Sequence, residues 1–384
     1  RRRQKPLPDR ARLDLVELAR LLALPGARED LPRADRPHAE LAPHARVVLC
    51  EAEDQPGYHT TGRSAAFREE CYGGPDVVPL TLASGDYLKD GGFLRLRGGL
   101  YLARDGEDAK VEAFRKRFAD SGVTLHPLDR AELERRLPGV REEWTQALSQ
   151  PNCADIDVAG LHQHYLTRAK AAGAQLRARH RLRGAQRDGE QWRLDFGAAG
   201  ELRAGVVVNA AGAWADHVAG LLGARALGIQ PFRRTVVQLR VDPAPQPDLP
   251  LTLDIAGDFY FRPDNGRLWL SPHDETPSEA CDAAPEEYDV ALAIDRFQQV
   301  VDWEIETVER KWAGLRSFSP DRLPVYGYDP EIDGVFWFAG QGGYGIQTAP
   351  AAARLGAQLL LRHPRDAMTH ELDERLYSPA RLHA

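Results

Sequence analysis

The sequence predicts an α/β chain in which a sheet-and-helix domain is interrupted by a second, β-rich lobe. Two observations carry this expectation. A short apolar strand runs into a glycine turn and then a helix at Val206–Gly212, and the same succession recurs at Val335–Gly345. Strand patterns dominate the residues between them, so the units of the first sheet are separated in sequence by a different kind of structure.

Taken in chain order, residues 1–46 hold eleven Lys or Arg against seven Asp or Glu, and Pro6, Pro8, Pro25, Pro32, Pro37 and Pro43 interrupt regular structure. Only Leu13–Leu24 has helical spacing, with Leu15, Leu18, Leu21 and Leu22 on one face, so one short helix is expected there. At Val47-Val48-Leu49-Cys50-Glu51 the texture becomes that of a buried strand ending in an acid. A Gly- and hydroxyl-rich stretch, residues 57–66, follows; its second half can open a helix. Residues 93–103 read as strand, and Val111–Ser121, Arg130–Leu137 and Ala159–Ala172 read as helices. Strands are expected around Leu176–Leu182, Trp192–Phe196, Gly205–Val208, Val236–Val241, Phe259–Arg262 and Arg267–Leu270. A helix at Tyr288–Val301, a strand at Val335–Ala339 and a long Ala/Leu helix from about Thr348 to Leu361 complete the order.

Composition excludes several classes of function. With 384 residues, 43% of them hydrophobic and a net charge of −7, the chain can bury a sizeable core and has no excess of basic residues to collect nucleic-acid phosphates. No nucleic-acid partner is expected. The longest apolar stretches, such as Gly205–Ala211 and Leu355–Leu361, fall far short of the roughly 20 residues that cross a bilayer. Cys50, Cys71, Cys153 and Cys281 lie far apart without metal-ligand spacing, which is read as reduced thiols in a cytoplasmic protein with no metal. The only methionine is Met368, and acidic residues near the start count against a transit peptide.

Glu51 closes a strand as the ribose-binding acid of a dinucleotide fold does, although a solvated strand end has the same appearance. A GxGxxG turn belongs about 20 residues earlier. That window reads Gly26-Ala27-Arg28-Glu29-Asp30-Leu31-Pro32-Arg33 and cannot form such a turn. Gly342-Gly343 ahead of a helix can present backbone N–H groups to an anion, and Ala210-Ala211-Gly212 lacks bulk where a cofactor would lie.

Four ordered blocks closely resemble the D-amino acid oxidase-like family of FAD-dependent oxidoreductases, the group that includes glycine oxidase and D-amino acid dehydrogenase. They are residues 51–66, the run Val207–Ala215, the run Lys311–Arg316 followed by Pro320-Asp321 and Pro324, and the run Phe338–Thr348. Together they cover about residues 39–365. The resemblance implies a Rossmann-like FAD-binding domain with an inserted β-rich substrate domain. It divides the chain into an atypical arm (1–38, misread or disordered), a discontinuous FAD domain (39–80, 140–220 and 325–384) and a substrate domain (81–139 and 221–324). It also implies FAD contacts from Glu51, Thr61, Gly62, Arg63, Ser64, Leu182, Ala210, Ala211, Gly212, Trp214, Gly340, Gly342, Gly343, Tyr344, Gly345, Ile346 and Gln347, with Arg63 neutralising the pyrophosphate.

For the chemistry, the resemblance implies hydride transfer from the α-carbon of an amino acid or related amine to flavin N5. Arg316 would clamp the substrate carboxylate, and Tyr260 and Tyr344 would close over it as hydroxyl donors. His59 has two readings, a residue beside the flavin or a structural histidine. Where relatives carry the first strand and its glycine loop, this chain departs, and an error in the gene model or start site is the expected cause. Taken literally, the chain has lost the central first strand. A flavin-free, non-catalytic remnant is then the rival reading, and oxidation of a 2-hydroxy acid is a second enzymatic one.

Overall fold

A computed structural model describes the backbone of residues 13–18 and, in full, residues 45–383. One sheet has six strands in the order Val325–Tyr328, Val335–Ala339, Val206–Asn209, Leu13–Leu18, Ala45–Cys50, Gln175–Arg177. All neighbours run parallel except Val325–Tyr328, which is antiparallel to Val335–Ala339.

Leu13–Leu18 corrects two expectations at once. It is a strand rather than the start of a helix, and it fills the central place that was expected to be lost, with Leu15 paired to Val206 on one side and to Val47 on the other. The six residues Leu-Asp-Leu-Val-Glu-Leu satisfy strand and helix spacing about equally, and a run that short does not discriminate between the two. A slot between two parallel strands offers backbone hydrogen bonds on both sides, so tertiary pairing decides. Residues 19–24 of the expected helix, the window 26–33 and the rest of the expected arm lie outside the described residues.

Alternation within the strands builds two opposite cores. Val47, Val206, Val208, Phe336 and Phe338 pack with Ala351, Ala352, Leu355 and Leu360 of the helix Ala349–Leu361. The intervening Val48, Val207 and Val335 face the other way, onto Leu182, Trp192 and Leu194. Alanine along Ala349–Leu361 lets that helix lie close against the sheet, and most of its residues are buried.

The second lobe is a nine-stranded sheet. Its spine is an antiparallel ribbon between Gln230–Asp242 and Glu304–Phe318, continued through Arg267–Ser271, Tyr260–Asp264, Leu251–Asp254 and Gly99–Arg104. The helix Glu287–Gln298 covers one face, where Phe297 packs on Phe261 and Leu270. Phe259 and Phe261 belong to that core, whereas Tyr260 between them is set in a separate cluster with Ala65 and Leu251. Two local expectations also change. Residues 93–103 form two strands, Leu94–Leu96 and Gly99–Arg104, and the stretch 57–66 opens only the three-residue 3-10 turn Thr61–Arg63 before the short strand Phe67–Arg68. Among the described residues no helix is long and apolar enough to cross a membrane, and Cys71, Cys153 and Cys281 form no disulfide.

Candidate functional site

Ligands of open α/β sheets bind beyond the carboxyl ends of the strands, and three adjoining cavities open there. The first, about 530 Å³, is lined by Cys50, Glu51, Leu182, Ala211 and Trp214. The second, about 80 Å³, lies among Thr61, Ser64, Gly212, Phe338, Gly343 and Ile346, and shares Thr60, Arg63, Gly212, Gly314 and Leu315 with the first. The third, about 470 Å³, shares Ser64, Arg316 and Gly343 with the second and extends past Tyr260, His273 and Phe118.

Glu51 follows the last residue of its strand, and one of its carboxylate oxygens accepts from the Glu53 amide at 3.0 Å. The turn after Val206–Asn209 is pinned by Asn209, a fully buried side chain whose Nδ2 donates to the Ala215 carbonyl at 2.8 Å. Gly342 has a left-handed φ of 50°, and a Cβ there would overlap the Phe318 ring; a Cβ on Gly343 would overlap the Tyr72 hydroxyl. Both positions must therefore lack a side chain for the turn to approach the cavities so closely.

Among the described residues, Arg316 is the one partly buried cavity arginine left without a polar partner, Arg117 and Arg183 being exposed. Its Nε is buried and unsatisfied, and the side chain makes no hydrogen bond or ion pair among the described residues. Arg234, fully buried on the neighbouring strand, donates to Glu275 at 2.9 Å, and the same carboxylate takes two bonds from Arg322 at 2.8 and 2.9 Å. The Tyr260 hydroxyl is also buried without a partner, and burial pushes its pKa up. Burial likewise raises the Glu69 carboxyl, which accepts from the Cys71 amide at 2.6 Å and from Gln150 at 2.8 Å.

The structure brings Arg316, Tyr260 and Tyr344 to one cavity. Several other expectations are corrected. Tyr344 is not a free donor, since its hydroxyl donates to the Arg322 carbonyl. Arg63 is not free for a pyrophosphate: it is ion-paired to Asp282 and donates to the carbonyls of Ala283 at 2.7 Å and Ala313 at 3.1 Å. His59 lines the first cavity, not the Arg316 cavity, with Nε2 3.0 Å from Glu53 and its ring against Trp214. Gln347 spends its amide on Glu69 and Thr81. Gly62, Ala210 and Gly340 support the turns without lining any of the three cavities. Gly345 and Ile346 line the second cavity, as do Gly342 and Gly343. His273, Arg234, Glu69 and Tyr72 were not singled out by the sequence, where none of them belongs to a motif or has a spacing signal.

Residues 38–359 match the family model described as FAD dependent oxidoreductase. The chain belongs to that family. Among curated relatives of this FAD-dependent oxidoreductase family, the hydrogen cyanide synthase subunit HcnC of Pseudomonas aeruginosa is 27% identical over 66% of this chain and 60% of its own length. Glycine oxidase of Geobacillus kaustophilus is 32% identical over 42% of each chain. FAD-dependent oxidoreductase domain-containing protein 1 of Xenopus laevis is 28% identical over 41% of this chain and 34% of its own. The matches thus span between about a third and three-fifths of these relatives. Among solved structures, L-proline dehydrogenase from P. horikoshii superposes with a TM-score of 0.80 at 20% identity, covering 97% of this chain and 98% of that one. For glycine oxidase from Geobacillus kaustophilus the TM-score is 0.76 at 22% identity, covering 96% and 98%.

The family's cofactor is FAD, and the described residues fit it: an acid at the end of the second strand, side-chain-free turns at Gly212 and Gly343, and cavities that adjoin from Glu51 to Arg316. In sequence, residues 19–44, which follow the central strand, contain the single glycine Gly26 and no GxGxxG.

Proposed function

We propose that this chain oxidises the amine-bearing carbon of an amino acid or related amine that also carries a carboxylate. The observation that carries this reading is the unpaired guanidinium of Arg316, half-buried where the second and third cavities meet. Such a group is stabilised by an anionic ligand, and its planar fork matches a carboxylate with two hydrogen bonds. Bound FAD supplies the hydride acceptor at N5.

The protein's contribution is orientation. Arg316 holds the carboxylate, and the Tyr260 hydroxyl, lacking a partner of its own, donates to the same ligand. Effective molarity gained by such alignment lowers a barrier without a protein base. Glu51, Leu182, Ala211 and Trp214 hold the adenosine end of the cofactor. Thr61, Ser64, Gly212, Gly342, Gly343, Gly345 and Ile346 enclose the part nearer Arg316. Arg63 acts on this site through its bonds to residues 282, 283 and 313 rather than through its charge.

The test is anaerobic mixing of the purified flavoprotein with D-amino acids, N-methyl amino acids and 2-hydroxy acids, following loss of the oxidised-flavin absorbance. Amines with a carboxylate should bleach it, and Arg316→Met should weaken their apparent affinity about a hundredfold. Bleaching by 2-hydroxy acids alone, or equal reaction of amines with and without a carboxylate, would overturn the proposal. The absence of GxGxxG favours a second reading, a flavin-free binding protein. A colourless preparation that takes up no added FAD would establish it.

A further inference from the structure

His273 lies just past the strand Arg267–Ser271 with a left-handed φ of 55°. Its Nδ1 is in hydrogen-bond contact with the Gly257 carbonyl. A carbonyl oxygen only accepts, so Nδ1 carries the proton and Nε2 is left with its lone pair. The ring is fixed edge-on to Tyr260 at 5.8 Å between centroids and stands 6.5 Å from Tyr72, in the wall of the cavity that holds Arg316. Nε2 has no hydrogen-bond partner among the described residues.

The carboxylates of that wall are engaged elsewhere. Glu275 serves Arg234 and Arg322, Asp321 serves Arg381 and Ser319, Glu69 receives Cys71 and Gln150, and Asp254 receives the Asp258 amide. Asp76 is exposed. Burial, with the guanidiniums of Arg234 and Arg316 close by, keeps the imidazole neutral, its pKa lowered to about 3. An uncommitted acceptor therefore shares a cavity with an uncommitted cation.

We propose that His273 is a further substrate-binding residue: its Nε2 accepts a hydrogen bond from the N–H of the donor amine while Arg316 holds the carboxylate. The inference rests on the amine-oxidising reading of this cavity. It adds a requirement that the carboxylate clamp alone does not impose, namely an N–H beside the carboxylate.

Two ligands of one shape test it. 2-Aminoisobutyrate has no α-hydrogen to transfer, and pivalate replaces its amino group by methyl. Their dissociation constants for the full chain are measured by ligand-observed NMR, with thermal unfolding as a check on folding. His273→Leu should reduce the ratio of pivalate to 2-aminoisobutyrate dissociation constants about tenfold, the worth of one hydrogen bond. His273→Gln, which keeps an acceptor, should restore most of that ratio. An unchanged ratio in His273→Leu overturns the role of His273 and leaves the Arg316 reading standing. Unchanged pivalate affinity in Arg316→Met, or no binding of either ligand by the wild-type chain, overturns the carboxylate-clamp reading itself.

Discussion

Arg234 and Arg316 are diagonal neighbours on one antiparallel ribbon, Arg234 opposite Gly314 and Arg316 opposite Phe232, yet only Arg234 has a carboxylate partner. The arrangement divides two like charges into a structural cation and a functional one. Glu275 is the dividing element, because it pairs with Arg234 on one side and Arg322 on the other. Glu275→Gln should therefore have two opposite effects. It should lower stability by about 1–3 kcal/mol, since the fully buried Arg234 loses its counter-charge while the more exposed Arg322 is rehydrated. It should also tighten binding of a simple carboxylate such as pivalate severalfold, because the cavity becomes more positive. Urea unfolding and the same NMR titration read the two effects separately. Weaker carboxylate binding in the variant would contradict the division of roles.

Gly342→Ala tests the close approach of the C-terminal turn. The φ of 50° costs an L-residue roughly 1 kcal/mol, and overlap with the Phe318 ring adds about 1–3 kcal/mol unless the ring moves. Phe318 also supports Arg322, whose guanidinium lies 3.9 Å from the ring centroid. The variant should lose stability by that sum and bind FAD more weakly. Thermal unfolding with and without added FAD measures both, and a variant equal to wild type in each would show that the turn has room to spare.

How legible these features were in sequence depends on where the deciding contacts lie. Val335–Ala339 and Val206–Asn209 are continuous β-branched or aromatic runs bounded by glycine, and their strands were placed to within a residue or two. Leu13–Leu18 has Asp14 and Glu17 among its apolar residues, a pattern that suits either period, and only its two parallel neighbours settle it. Arg316 stood out through the resemblance of its flanking residues, not through any property of an isolated arginine. The partners that occupy Arg63 lie 220 and 250 residues along the chain, so its loss as a free cation was invisible. His273 sits between Pro272 and Asp274 with no motif at all, and its meaning comes from Gly257 and Tyr260.

The depressed basicity of His273 gives a pH dependence of fixed sign. In the unfolded chain the imidazole takes a proton near its ordinary value of 6.5, but in the folded protein burial, then Arg234, hold it to about 3. Between those limits the unfolded state binds more protons. The associated stability is present above pH 6.5 and is lost as pH falls toward 3. His273→Gln removes this dependence. Its stability relative to wild type should therefore rise as the medium is acidified, by up to about 1 kcal/mol per pH unit. Urea unfolding of the pair at neutral and mildly acidic pH measures the difference, and parallel acid sensitivity of the two proteins would refute it.

Val16→Pro addresses the central strand directly. Val16 pairs with Val207 on one side and Val48 on the other, so the strand has no free edge on which proline is tolerated. Proline there removes a ladder donor and leaves a buried carbonyl without its partner, which costs about 1–3 kcal/mol. The two cores on either side of the sheet depend on the spacing of Val206–Asn209 from Ala45–Cys50, which this strand bridges. The variant should therefore unfold at markedly lower urea concentration, with amide exchange accelerated in both neighbouring strands. Val16→Ile at the same position keeps strand propensity and should leave both observables close to wild type. Equal protection of Val206–Asn209 and Ala45–Cys50 in wild type and Val16→Pro would mean that Leu13–Leu18 does not hold the centre of the sheet.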